Sequence, residues 1–288
     1  MMPDKRQPPP SLSLRRLAAE LRHLRAAAGL TREDVADKKG INAATLYRIE
    51  KARAKPQKRT LIALLDLYEA TDAQRTDLLA IQSGSHDRGW LRPYHSELFE
   101  EYAAYIGFES EARTVRNYES LFIPGLAQTE AYAYAVVKGV LPTATPKEVE
   151  RRVQVRVERQ ALLTKEQPLR FWAVIDEAAI RRTVGSREVM RAQVRHLLQL
   201  MEWPHVTVQV IPFAKGAHAG MAGSFVHMDF PDPADPELVY VDTSTGDIFL
   251  ESEVEIRRYK SMFEHLQAVA EGPNDSVELL AELAEARD

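Results

Sequence analysis

Cysteine is absent from the 288 residues, which rules out disulfides and thiolate metal sites and accords with a reducing cytoplasm. Long apolar runs are absent as well. None approaches the roughly 20 residues that a membrane-spanning helix requires. The opening MMPDKRQPPP lacks the apolar core of a signal peptide, and residues 1–12 read as a disordered arm. The chain is expected in the cytoplasm, away from membranes. Eight histidines are present, but no pair stands at the His-x-x-x-His spacing that brings two imidazoles to one helix face. No metal and no cofactor is expected, and no nucleophile–base pattern marks a catalytic residue.

What is present is uneven in charge. Residues 1–60 hold 15 Lys and Arg against 6 Asp and Glu, a net of +9. The rest holds 23 against 36, a net of −13. A basic head on an acidic body is the electrostatic footprint of a nucleic-acid-binding module joined to a part that avoids nucleic acid; a merely solvated basic surface would give the same count.

Leu14, Leu17, Leu21 and Leu24 recur at helical spacing up to Gly29, a residue suited to ending a helix. Thr31 caps a second helix with Asp34 three residues on, a spacing like that of a capping box. That helix turns Val35 and Ala36 inward and stops at Gly40. Asn42 caps a third, with Leu46 and Ile49 on its buried side. Lys51–Arg59 is basic, contains Pro56 and reads as a loop. A fourth helix follows over about 60–69, and a fifth starts at Thr71, boxed by Gln74, and runs to about Ile81.

Residues 83–89, SGSHDRG, read as a linker. Beyond it, 169–176, 206–212, 224–230, 237–243 and 247–251 are strand-like runs. The last two are joined by a tight Ser244–Thr245–Gly246 turn. Helical patterns lie near 146–165, 186–202 and 251–270. The expected architecture is multi-domain: an all-α five-helix helix-turn-helix domain over 13–82, then a mixed α+β regulatory domain over 90–288.

Two short helices joined at Gly40 and followed by a basic loop match a helix-turn-helix, whose second helix enters the major groove of double-stranded DNA. With Leu46 and Ile49 inward, the 3.6-residue period turns Ala43, Ala44, Tyr47 and Arg48 outward. Arg48 can fork onto guanine O6 and N7, and the two alanines allow close approach to a thymine methyl. Tyr47 either contacts a base or packs on the second helix. Arg32, Thr45, Lys51, Arg53 and Lys55 fall at the rim as phosphate contacts.

The run LRRLAAELRHLRAAAGLTREDVADKKGINAATLYRIEKARAKP resembles the Xre/Cro-type helix-turn-helix family over residues 14–79. The resemblance implies a structural pair between Arg25 and Glu50 that ties the first helix to the recognition helix. Two departures stand out: many relatives have Gln at the position of Arg32, and polar residues at those of Ala43 and Ala44. Farther on, WLRPY, YESLFIPGLAQTEAYA, RVERQALL, IDEAAIRRTVG, VTVQVIPFAKGAHAGMAGSFVHMDF and VYVDTSTG resemble, in order, the uncharacterised C-terminal domain of actinobacterial Xre-type regulators of the WhiJ-like group. That implies control of development or antibiotic production, and an antitoxin-like pairing with a small neighbouring-gene protein.

Other features have plain alternatives. Asp176–Glu177 could serve acid–base chemistry, but such a pair more often caps the next helix. Gly216–Gly223 is only loosely like a phosphate loop, because it precedes a strand instead of opening a helix. Phe122–Leu126 reads as a packing turn or as the lip of a ligand or partner groove. The resulting expectation is a homodimeric, nucleoid-associated transcriptional regulator, not an enzyme, answering to a small-molecule effector or a small protein. Its rival is an antitoxin-like module that holds a small partner protein and autoregulates its operon.

Overall fold

In the computed structural model, residues 10–83, 100–233, 235–243 and 246–285 are described. Most of the arm, the linker residues 84–89, the WLRPY segment, His86, His95 and the Ser244–Thr245 step lie outside them. The chain divides into two compact units, residues 1–92 and 93–288.

The first unit is five helices: α1 (Leu12–Ala27), α2 (Arg32–Lys39), α3 (Ala43–Glu50), α4 (Lys58–Leu67) and α5 (Asp72–Ser83). Helix α1 starts at Leu12, capped by Ser11, inside the stretch read as a disordered arm. Leu12 itself is buried. Local chemistry sets the other starts. Thr31 and Asp34 form a reciprocal capping box on α2, and Asn42 Oδ1 accepts from the Ala44 amide at 2.8 Å to start α3. At Thr71, the Gln74 amide donates to Oγ1 and Gln74 Oε1 accepts from the Thr71 amide. Gly40 ends α2 with φ 66°, a left-handed conformation that glycine takes without steric cost. Leu17, Leu21, Val35, Leu46, Ile49, Leu61, Leu64 and Leu65 close the core.

The second unit carries one six-stranded sheet in the order β3-β2-β1-β4-β5-β6. The strands are β1 (Thr114–Glu119), β2 (Arg170–Asp176), β3 (Val206–Ile211), β4 (Phe225–Asp229), β5 (Leu238–Val241) and β6 (Ile248–Leu250). Strands β1, β2 and β3 run parallel, while β4, β5 and β6 extend the sheet antiparallel from the other side of β1. Parallel neighbours need crossovers. These are α7 (Glu130–Val140) and α8 (Pro146–Glu158), then α9 (Glu177–Arg181) and α10 (Arg187–Leu200). Helix α6 (Glu100–Glu111) precedes the sheet, and α11 (Glu253–Val269) and α12 (Pro273–Glu285) follow it.

Tyr118, Val174, Phe225 and Val239 pack on one face against Ile256, Phe263 and Leu266 of α11. Ala173, Val174 and Ile175 are all fully buried, so β2 is covered on both faces, as parallel strands usually are. The outer edge of β3 is capped at Val210. Ser276 Oγ accepts from the Val210 amide at 3.0 Å, and the Glu271 amide donates to the Val210 carbonyl at 2.9 Å.

Sequence reading did not include β1, α6, α7 or α12. Strand β1, TVRNYE, reads as polar yet lies in the middle of the sheet. Its polar groups are answered there: Arg116 Nη1 meets Asp229 Oδ2 at 2.7 Å, and Asn117 Nδ2 donates to the Phe225 carbonyl at 3.2 Å. Glu119, at the end of β1, takes a donation from Asn117 Nδ2 at 3.3 Å. Burial, with Asp242 adding repulsion, still pushes its carboxyl up to about 7. A raised folded value means that the folded state binds the proton more tightly. That contribution is complete below the ordinary value of 4.5 and is lost as pH rises through about 7. Glu119→Gln should therefore melt higher than the parent at pH 8, with the gain shrinking toward pH 4. Melts across that range check this, and a gain independent of pH would refute it.

Candidate nucleic-acid interface

The basic head places its candidate contacts around α3. Leu46, Ile49 and Glu50 are its buried residues. Ala44, Thr45, Tyr47 and Arg48 are exposed and Ala43 is half-buried, so the outward set expected from the period lies on one side of the helix. Lys51, Arg53 and Lys55 are exposed in the segment that follows. That segment leaves α3 through a left-handed Ala52, φ 55°. The Ala52 amide returns to the Ile49 carbonyl at 2.9 Å and the Arg53 amide to that of Arg48 at 2.7 Å, a Schellman ending with alanine where glycine is usual.

Glu50 is the last residue of α3, and its side chain has no solvent exposure. A carboxylate taken out of water needs charged partners, and two arginines supply them. Arg25 of α1 donates through Nε to Oε1 at 2.6 Å and through Nη2 to Oε2 at 3.3 Å. Its Nη1 reaches the Leu30 carbonyl at 2.7 Å. The carboxylate holds the Arg25 guanidinium above its ordinary pKa. Arg32 of α2 donates from Nε to Oε2 at 2.7 Å, and its guanidinium lies 5.2 Å from the centre of the Tyr47 ring. Both the pair between Arg25 and Glu50 and this second arginine tie α3 to the helices before it. The engagement of Arg32 was not foreseen, because it joins residues 18 apart in sequence and no local pattern marks it. Nearby, burial and the Glu50 charge push the Tyr68 hydroxyl up to about 12.

Residues 16–78 match a family described as a helix-turn-helix domain, which points to a DNA-binding regulator. Residues 102–282, well over half of the chain, match a domain of unknown function, DUF5753. The chain belongs to the DUF5753 family. No curated protein and no solved structure matches it.

Within the DUF5753 domain, the features singled out from sequence have structural partners. Asp176 Oδ1 accepts from the Ala178 amide at 2.8 Å, capping α9, and Oδ2 lies 3.1 Å from His218 Nε2. The Gly220 amide donates to His218 Nδ1 at 3.2 Å, so both imidazole nitrogens are in use. Glu177 pairs with Arg181 and accepts from the Phe213 amide at 2.6 Å. His218 thus pins the Gly216–Gly223 stretch, and Gly220 lies so close to Tyr118 that an added Cβ would be 2.3 Å from its ring. His227 Nε2 meets Glu237 at 2.8 Å.

The turn at Ile123–Leu126 is packed. The Ile123 amide donates to Tyr132 Oη at 3.1 Å, and Gln128 Nε2 donates to the Ile123 carbonyl at 2.6 Å. Leu126 also lines a cavity of about 210 Å³ with Leu163, His196, Leu200 and Trp203. Among the described residues, no group of three or more His, Asp and Glu is placed to hold a metal, and no helix is long and apolar enough to cross a membrane.

Removing Glu50 leaves two arginines without their shared anion. Glu50→Ala in the full chain is expected to cost the head about 3 kcal/mol. Amide hydrogen exchange should speed up in α1, α2 and α3 and stay unchanged in the six-stranded sheet. Unaltered exchange in α3 would show that the carboxylate is dispensable.

Proposed function

We propose that the chain is a sequence-specific, double-stranded-DNA-binding transcriptional regulator of Xre type, acting as a homodimer in the cytoplasm. The observation that carries this reading is the exposed row of Tyr47 and Arg48 on a helix whose opposite side is buried and clamped, with Lys51, Arg53 and Lys55 beside it. In this reading Arg48 contacts a base edge through its two-pronged guanidinium, with Ala43 and Ala44 giving close approach. Thr45, Lys51, Arg53 and Lys55 contact the sugar–phosphate backbone, and the three cations release its counterions. A helix of eight residues reads few base pairs, so two heads on adjacent half-sites supply the remaining specificity.

The DUF5753 domain is the regulatory and association part, not an enzyme. Its acidic balance keeps it off the phosphate backbone, and Asp176, Glu177, His218 and His227 within it are engaged in caps and pairs. It takes an effector, either a small molecule or the small partner protein that the WhiJ-like resemblance implies. The effector acts by binding one arrangement of the two heads better than the other.

Gel retardation on the promoter of the chain's own gene tests the division of labour. The full chain should shift it, and residues 93–288 alone should not. Specific binding by the latter would overturn the assignment. Arg48→Ala should lose about 1–3 kcal/mol on the preferred site and flatten preference at one base pair. Lys55→Ala should weaken preferred and random DNA alike, lowering the salt slope by about one unit. Light scattering should give a dimer for the full chain.

A further inference from the structure

Tyr47 and Arg48 both face outward on α3, but Tyr47 is held from the side. The residue remains 39% exposed, and the Arg32 guanidinium lies over the ring, 5.2 Å from its centre. Arg32 is itself fixed: its Nε donates to Glu50 Oε2 at 2.7 Å. Tyr47 and Glu50 are three residues apart, adjacent where the exposed side of α3 meets its buried side, so a single planar group reaches both at once. Its Nε meets the carboxylate and its positive charge lies over the ring. Lysine cannot reproduce this, because an ammonium has no flat face to stack and no fork.

We infer that Arg32 is a positioning residue that orients the Tyr47 ring for base reading, and not a phosphate contact. The inference rests on the reading of α3 as the recognition helix. Arg25 keeps its own two contacts to Glu50, so the three-helix junction retains one clamp when Arg32 is replaced. The work done by Arg32 can then be separated from folding. A guanidinium held over the ring narrows the orientations open to Tyr47, and that gain appears as discrimination at the base pair Tyr47 touches. A phosphate contact would appear elsewhere, in a salt dependence that is blind to sequence.

The test uses the full chain. Selection from a random duplex pool defines the preferred site, and equilibrium titrations on that site and its single-base variants give discrimination and salt slope. Arg32→Lys and Arg32→Gln should each reduce discrimination about tenfold at one base pair, the same pair that Tyr47→Ala flattens. Neither should further alter discrimination in the Tyr47→Ala background. Arg32→Gln should leave the salt slope unchanged, while Lys55→Gln lowers it by about one unit. Circular dichroism melts accompany each variant. A slope lowered by Arg32→Gln with discrimination intact would make Arg32 a phosphate contact, and additive losses in the double variants would show that it does not act through Tyr47. If the unaltered chain selects no sequence, the recognition-helix reading fails and the role of Arg32 fails with it.

Discussion

A carboxylate sealed from water stays charged only with a cation within reach, and each unit holds such a pairing among its described residues. In the head the sealed group is Glu50, held by Arg25 and Arg32. In the DUF5753 domain it is Glu109 of α6. Arg159 Nε donates to Glu109 Oε2 at 2.7 Å and Nη2 to Oε1 at 2.6 Å. Tyr105 Oη donates to Oε1 at 2.6 Å, and Arg159 Nη1 donates to Tyr102 Oη at 2.8 Å. Neither arrangement need add net stability over an apolar core of the same volume. What it adds is direction. A leucine at position 50 could be buried in several orientations of α3, whereas a forked ion pair accepts few. The outward face of α3 is therefore fixed from its inward side.

The sheet follows a related logic with polar strands. Strand β1 is the hinge of its topology, with parallel partners on one side and antiparallel on the other. It does this while carrying Arg116, Asn117 and Glu119, because β4 returns matching groups at Asp229 and at the Phe225 carbonyl. The register Arg116↔His227 and Thr114↔Asp229 brings arginine and aspartate diagonally together, a distance that long side chains span.

These two cases explain how far the sequence could be read. Helix starts in the head were legible because a cap and its partner are three residues apart, as at Thr31 with Asp34 and Thr71 with Gln74. The outward set on α3 was legible because one period relates it to Leu46 and Ile49. Strands β2, β3 and β4 announced themselves by β-branched and aromatic runs. Strand β1 did not, because its suitability depends on residues more than 100 positions away. For the same reason, the Arg32 contacts were out of reach of local patterns. The pair of Arg25 with Glu50 was accessible only through resemblance. Helix α7, EAYAYAVVKGV, is apolar around most of its circumference and offers no stripe to read.

The capped edge of β3 bears on how the chain can be handled. An uncapped strand at the end of a sheet is a template for another copy of itself, and β3 is rich in β-branched residues. Here Ser276 and Glu271 occupy the amide and carbonyl of Val210, two of the groups that such a copy would use. The segment from Glu271 into the last helix thus guards this edge as well as packing against it. Trimming the chain ahead of Pro273 would remove Ser276 and free the Val210 amide to pair with another strand.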